Sequence, residues 1–145
     1  MIYFDTSYLV RLYFDDPGCE PVRALAATDH VACAVHGQAE TIAAFHRRLR
    51  DGAIKPVHYR ALLAQFAADN AAGAVTWLPA GPDVLERLTE VYADLPASVY
   101  LRAADALHLA SAVLHGYKAV YSNDGHLLAA ANHFGVKGKN VIPAG

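Results

Sequence analysis

An α/β fold, with a mostly parallel sheet covered by helices on both faces, is what this 145-residue sequence predicts. Three observations lead there. Short β-like runs alternate with longer segments of helical periodicity. Clusters of Gly, Pro and Asp separate the two kinds of segment. No apolar run approaches the length of a membrane span. Strands that alternate with helices in this way imply parallel pairing through crossovers.

The elements follow in order. A strand over Ile2–Asp5 leads into a helix over Thr6–Phe14, which Asp15-Asp16-Pro17-Gly18 stops. A helix over Cys19–Ala27 precedes a strand over Val31–Val35. The helix Gln38–Arg50 carries an apolar stripe of Ile42, Phe45 and Leu49 and ends at Asp51-Gly52. Pro56 suits the first turn of a longer helix, Pro56–Ala72. Strand Val75–Leu78 is bounded by Pro79 and Gly81, and helix Asp83–Asp94 ends before Pro96. Helix Arg102–His115 ends at Gly116; strand Ala119–Tyr121 follows, then helix Asp124–Phe134 with Gly135 as a stop. A last strand is expected near Asn140–Ile142.

The length suits one domain with a real core, and no repeat or linker divides the chain. Two cysteines, Cys19 and Cys33, are too few for a disulfide framework, and no basic segment introduces an apolar leader at the N-terminus. The expected compartment is the cytoplasm, with no membrane association. The formal charge of −2 looks poor for a nucleic-acid binder. Setting four of the 14 acids aside for a cation site leaves ten against 12 basic side chains, so net charge does not exclude a polyanionic substrate.

Four carboxylates stand out. Asp105 lies in an Ala- and Leu-rich helix, apolar over most of its circumference, that reads as buried. A carboxylate there must be hydrogen-bonded, paired or bound to a metal. Asp5 and Asp124 each end a strand, where open α/β sheets bind ligands. Glu40 falls off its helix's apolar stripe, on the side shared with His36, Ala44 and Arg47. Taken singly, Asp5 and Asp124 could be helix caps, and Glu40 could pair with Arg47 or His36. Two carboxylates at ~5 Å repel by roughly 3 kcal/mol at an effective dielectric near 20, so convergence requires protons or cations. Hard oxygen donors without a His or Cys quartet select Mg²⁺ or Mn²⁺, which suit phosphodiester cleavage.

The chain resembles the PIN-domain ribonucleases, specifically the VapC-type toxins of type II toxin–antitoxin systems. Tyr3-Phe4-Asp5-Thr6-Ser7, Glu40, Leu101-Arg102-Ala103-Ala104-Asp105-Ala106-Leu107-His108-Leu109-Ala110 and Ser122-Asn123-Asp124 carry the likeness. It spans essentially the whole chain. It implies a PIN-like three-layer α/β/α fold with a central, mostly parallel sheet of four to five strands. It implies a Mg²⁺-dependent endoribonuclease, with Mn²⁺ as a substitute, acting as the toxin of a toxin–antitoxin pair. Asp5, Glu40, Asp105 and Asp124 would be the metal-site acids. Thr6 or Ser7 would support the first acid, Ser122 takes the hydroxyl position two before the last, and Asn123 could orient a metal-bound water in place of Asp124. The implied partners are RNA and a cognate antitoxin, with a homodimer inside a larger complex.

Other residues enter as smaller expectations. Arg47, Arg48 and Arg50 could steer RNA phosphates, or form a plain solvated face. Arg102 could hold a phosphate or pair with a site acid. His108 and His126 read as structural, and Trp77, Tyr3, Tyr8 and Tyr13 as core or interface. Tyr8, Leu12, Phe45 and Leu49 could contribute to a groove for an antitoxin helix, although core is the expected place for the last two. Two other functions stay open: a haloacid-dehalogenase-type phosphatase, which the Ser at position 7 opposes because that chemistry needs an acid there, and a non-catalytic module that binds RNA or protein.

Overall fold

A computed structural model describes residues 1–145. Five short strands all pair in parallel: β1 (Ile2–Tyr3), β2 (Val31–Ala34), β3 (Val75–Leu78), β4 (Ala119–Tyr121) and β5 (Lys137–Lys139). β1 pairs with β2 and β2 with β3; β4 pairs with β5. A single parallel bridge, Phe4 to Tyr121, joins the two groups, extended by the Asp5 N–H donating to the Tyr121 carbonyl. The strands therefore run β3-β2-β1-β4-β5. The chain leaves β1 toward β2 on one side and returns to it at β4 on the other. That reversal opens a crevice beyond the carboxyl ends of β1 and β4.

Alternation along the strands divides the core. Tyr3, Ala32, Ala34 and Leu78 face one layer, where α5 (Pro82–Asp94), α6 (Ala103–Leu114) and α7 (Gly125–Ala130) contribute Val84, Val91, Ala106, Leu109 and Leu127. Phe4, Val31, Cys33 and Val75 face the other, against Tyr8 and Leu9 of α1 (Thr6–Leu9) and Val22 of α2 (Cys19–Ala26). A third cluster, Phe14, Phe45 and Phe66, packs edge-to-face at the base of α3 (Gly37–Arg50) and α4 (Pro56–Ala71). Burying each such side chain contributes about 1.5–3 kcal/mol. No helix is long and apolar enough to cross a membrane.

Several expectations need correction. The first helix is only one turn of α-helix, followed by a 3₁₀ turn over Val10–Leu12; the seventh likewise tightens into 3₁₀ over Ala131–Phe134. The last strand is not Asn140–Ile142 but Lys137–Lys139, with no apolar residue to mark it. Asn140 instead turns the chain, its side-chain oxygen accepting from the Ile142 N–H. Gly138 is required in β5, because a Cβ there would lie 3.1 Å from Leu128 backbone atoms. Gly37 plays the same part at the start of α3, where a Cβ would meet Cys33 Sγ at 2.5 Å. Its absence lets α3 close onto β2 and brings Glu40, nearly one turn on, against α6.

Candidate active site

Asp5 leaves the end of β1 buried and held by three donors. Its Oδ1 accepts from Ser7 Oγ at 2.6 Å and from the Tyr8 N–H at 3.2 Å, and its Oδ2 accepts from Ser122 Oγ at 2.5 Å. Ser7 and Ser122 also tie β1 to β4: Ser7 Oγ accepts the Asn123 N–H and Ser122 Oγ accepts the Asp124 N–H. Burial raises the pKa of Asp5, partly offset by His108 and these hydroxyl donors. Asp5 is thus both the N-cap of α1 and a wall of the crevice.

Glu40 reaches the same crevice from the first turn of α3. Its Oε1 accepts from Thr6 Oγ1 at 2.8 Å and lies 2.6 Å from His108 Nε2, with His36 Nε2 at 3.5 Å. Burial opposes its charge, but His108, the Thr6 hydroxyl and His36 together outweigh that and lower its pKa. Asp105, in the first turn of α6, is buried; its Oδ2 accepts from Arg102 Nε at 3.1 Å. Burial raises the Asp105 pKa, and nearby Asp124 adds to this against the pull of Arg102. Asp124 divides its oxygens. Oδ1 caps α7 by accepting from the His126 and Leu127 N–H groups, and Oδ2 accepts from Arg102 at 2.6 Å. The cap expected of Asp124 is present on one oxygen, while the other meets Arg102 at the cavity.

All four acids line one cavity of about 340 Å³, together with Thr6, Ser7, Arg47, Arg102 and His108. Glu40 Oε2 and Asp105 Oδ1 take no donor from the protein. The Arg102 guanidinium, 57% exposed, bridges Asp105 and Asp124 and so places a cation of the chain's own between two of the acids. Donor chemistry, open oxygens and a stand-in cation together fit a hard divalent ion such as Mg²⁺ or Mn²⁺.

The supporting hydroxyls divide as follows: Ser7 and Ser122 serve Asp5, while Thr6 serves Glu40. Asn123 does not enter the cavity; its side-chain oxygen accepts from Asn140 Nδ2. Among the arginines, Arg47 and Arg102 reach the site. Arg48 pairs with Asp16 and lies over the Phe14 ring, and Arg50 does not line the cavity. Tyr8 and Phe45 are wholly buried, so neither can line a partner groove. Leu12 and Leu49 are partly exposed. His126 sits outside the site against Tyr100.

Tyr3, expected in the core or an interface, is a core residue whose hydroxyl also lies 2.7 Å from His108 Nδ1. A signal existed: Tyr3 shares a strand face with Asp5, and His108 lies one helical turn after Asp105.

The model of the PIN domain family matches residues 2–132. No curated protein matches the chain. Among solved structures, FitAcB from Neisseria gonorrhoeae superposes with a TM-score of 0.75 at 18% identity, covering 95% of this chain and 96% of its own. VapC20 of Mycobacterium tuberculosis, a toxin that cleaves the sarcin-ricin loop, gives 0.71 at 23% identity, covering 90% and 95%. A toxin–antitoxin complex from Klebsiella pneumoniae gives 0.63 at 16% identity, covering 92% and 94%. At these identities the likeness is one of fold. The family match spans most of the sequence, and this chain belongs to the PIN domain family.

Proposed function

We propose that this protein is a divalent-cation-dependent endoribonuclease of the VapC type, acting as the toxin of a toxin–antitoxin pair. The observation that carries the reading is the convergence of Asp5, Glu40, Asp105 and Asp124 on one cavity, with Glu40 Oε2 and Asp105 Oδ1 free of protein donors. The similar folds of a sarcin-ricin loop-cleaving toxin and of a toxin–antitoxin complex support it. Mg²⁺ or Mn²⁺ held by these acids would neutralise phosphate charge and acidify a bound water. The chain's own residues supply the rest. Ser7, Ser122 and the Tyr8 N–H fix Asp5. Arg47 and Arg102 at the cavity provide positive charge for an RNA phosphate. With a cation held by the acids, Arg102, which now pairs with Asp105 and Asp124, would be free for that contact.

The phosphatase alternative fares worse, because Ser7 donates to Asp5 where that chemistry needs an acid. We also propose a cognate antitoxin and a homodimer within the larger assembly, with an antitoxin Arg or Lys able to occupy the place Arg102 now takes. Expression of the chain alone should arrest growth, and the antitoxin should restore it. Purified protein should cut single-stranded RNA with Mg²⁺ or Mn²⁺ and stop in EDTA, leaving a small phosphomonoester intact. Arrest by Asp5→Asn at equal protein level would overturn the ribonuclease reading; RNA binding without cleavage would favour the non-catalytic module.

A further inference from the structure

A buried chain of hydrogen bonds runs from the sheet to Glu40. The Ala34 N–H donates to Tyr3 Oη at 3.0 Å, and Tyr3 Oη lies 2.7 Å from His108 Nδ1. His108 Nε2 lies 2.6 Å from Glu40 Oε1. Tyr3 and His108 are each 1% exposed, so no solvent competes for these groups. The direction of the chain follows from counting protons. The Glu40 carboxylate can only accept, so Nε2 at 2.6 Å carries a proton, and Nδ1 of the neutral ring is left to accept the Tyr3 O–H. If the ring is charged, Nε2 still carries a proton. In both states His108 presents Glu40 with a donor.

The surroundings hold that donor in place. The His36 ring lies against His108 with centroids 4.2 Å apart, and His36 Nε2 donates to the Ala104 carbonyl on α6. A Cβ at residue 37 would lie 3.6 Å from His108 Cε1, so α3 closes directly onto the imidazole. Glu40 itself is partly open, and its Oε2 takes no protein donor. One carboxylate oxygen is therefore anchored from within the core while the other has no protein donor, on a residue that lines the cavity.

We infer that Tyr3 and His108 are positioning residues that lock the Glu40 carboxylate and so set the affinity of the acidic site for its divalent cation. The inference rests on the reading of that site given above. His108 acts on the carboxylate and not on the cation, because its Nε2 proton is committed to Glu40. Groups that orient a metal ligand in this way typically change metal affinity by about 10–100-fold when removed.

The test is Mn²⁺ binding by calorimetry on the folded protein, with circular dichroism and melting as fold controls. His108→Leu keeps an apolar body of similar size without a donor, and should weaken Mn²⁺ binding by about tenfold or more. His108→Gln offers an amide N–H and should recover part of the loss. Tyr3→Phe should weaken binding on its own, yet add nothing in the His108→Leu background, because it works only through the imidazole. Phe66→Leu, in the separate aromatic cluster, controls for general destabilisation and should leave Mn²⁺ affinity unchanged. Unchanged affinity in folded His108→Leu or Tyr3→Phe would overturn the positioning role while leaving the acidic site intact. Additive losses in the double variant would also overturn it. Zn²⁺ binding tighter than Mn²⁺ and abolished by both His36→Leu and His108→Leu would make His108 a ligand, which contradicts the inference. Failure of wild type to bind Mn²⁺ at all would overturn both the inference and the site on which it rests.

Discussion

Replacing Asp105 by asparagine separates a cation-site acid from an ordinary core ion pair. The only donor to Asp105 is Arg102 Nε at 3.1 Å, from a side chain 57% exposed. A pair with so solvated a partner contributes ~0.2–1 kcal/mol. The asparagine oxygen can still accept that N–H. Against the lost attraction stands relief, since burial and Asp124 both disfavour the charge on Asp105. The two effects should offset to within ~1 kcal/mol in EDTA, or about 2–4 °C in Tm for a chain of this size. A cation changes the balance. At a hundred times its Kd it adds about 2.7 kcal/mol to a protein that binds it only when folded, which is on the order of 5–10 °C. Asp105→Asn should lose most of that gain. The assay is thermal melting in EDTA and in saturating Mn²⁺, for wild type and variant. An equal Mn²⁺ shift in both would show that the cation does not use Asp105. A variant melting ~10 °C below wild type in EDTA would show a structural ion pair instead.

Other perturbations follow from the same geometry. Asp5→Asn should reduce RNA cleavage at least ~100-fold, the scale on which loss of a preorganised charge acts in catalysis, while circular dichroism stays native. Its oxygen can keep the Ser7 and Tyr8 donors, and only the Ser122 contact must reverse. Gly37→Ala should destabilise by ~1–3 kcal/mol, measured by urea unfolding, because the new Cβ meets Cys33 Sγ at 2.5 Å; an unchanged midpoint would mean that α3 can shift freely. The raised pKa values of Asp5 and Asp105 give pH a definite sign. Their stabilising contribution is present when they are protonated and is lost as pH rises through the raised folded values. In EDTA, wild type should therefore gain on Asp105→Asn as pH falls from neutrality through the raised folded value of Asp105. Mn²⁺ should bind more weakly over the same fall, because protons compete for the carboxylates; titration calorimetry at several pH values checks this.

By itself the sequence determined the order of strands and helices wherever side-chain periodicity reports burial. Val31–Ala34, all buried, and α6, with seven buried residues, are legible because each must hide its apolar atoms from water. β5 was not legible: Lys137-Gly138-Lys139 is exposed throughout and is held by backbone pairing to β4, which no local pattern encodes. The four acids stood out as carboxylates in positions that demand a partner. Only the tertiary structure decided which partners they take. Arg102 bridges two acids, Arg48 is committed to Asp16, and Thr6 serves Glu40, not the neighbouring Asp5. The link from Ala34 through Tyr3 and His108 to Glu40 joins residues up to 105 positions apart. Hydrogen bonds are short and directional, so the partners are assigned only once the sheet and the glycine-permitted approach of α3 have brought the groups within reach.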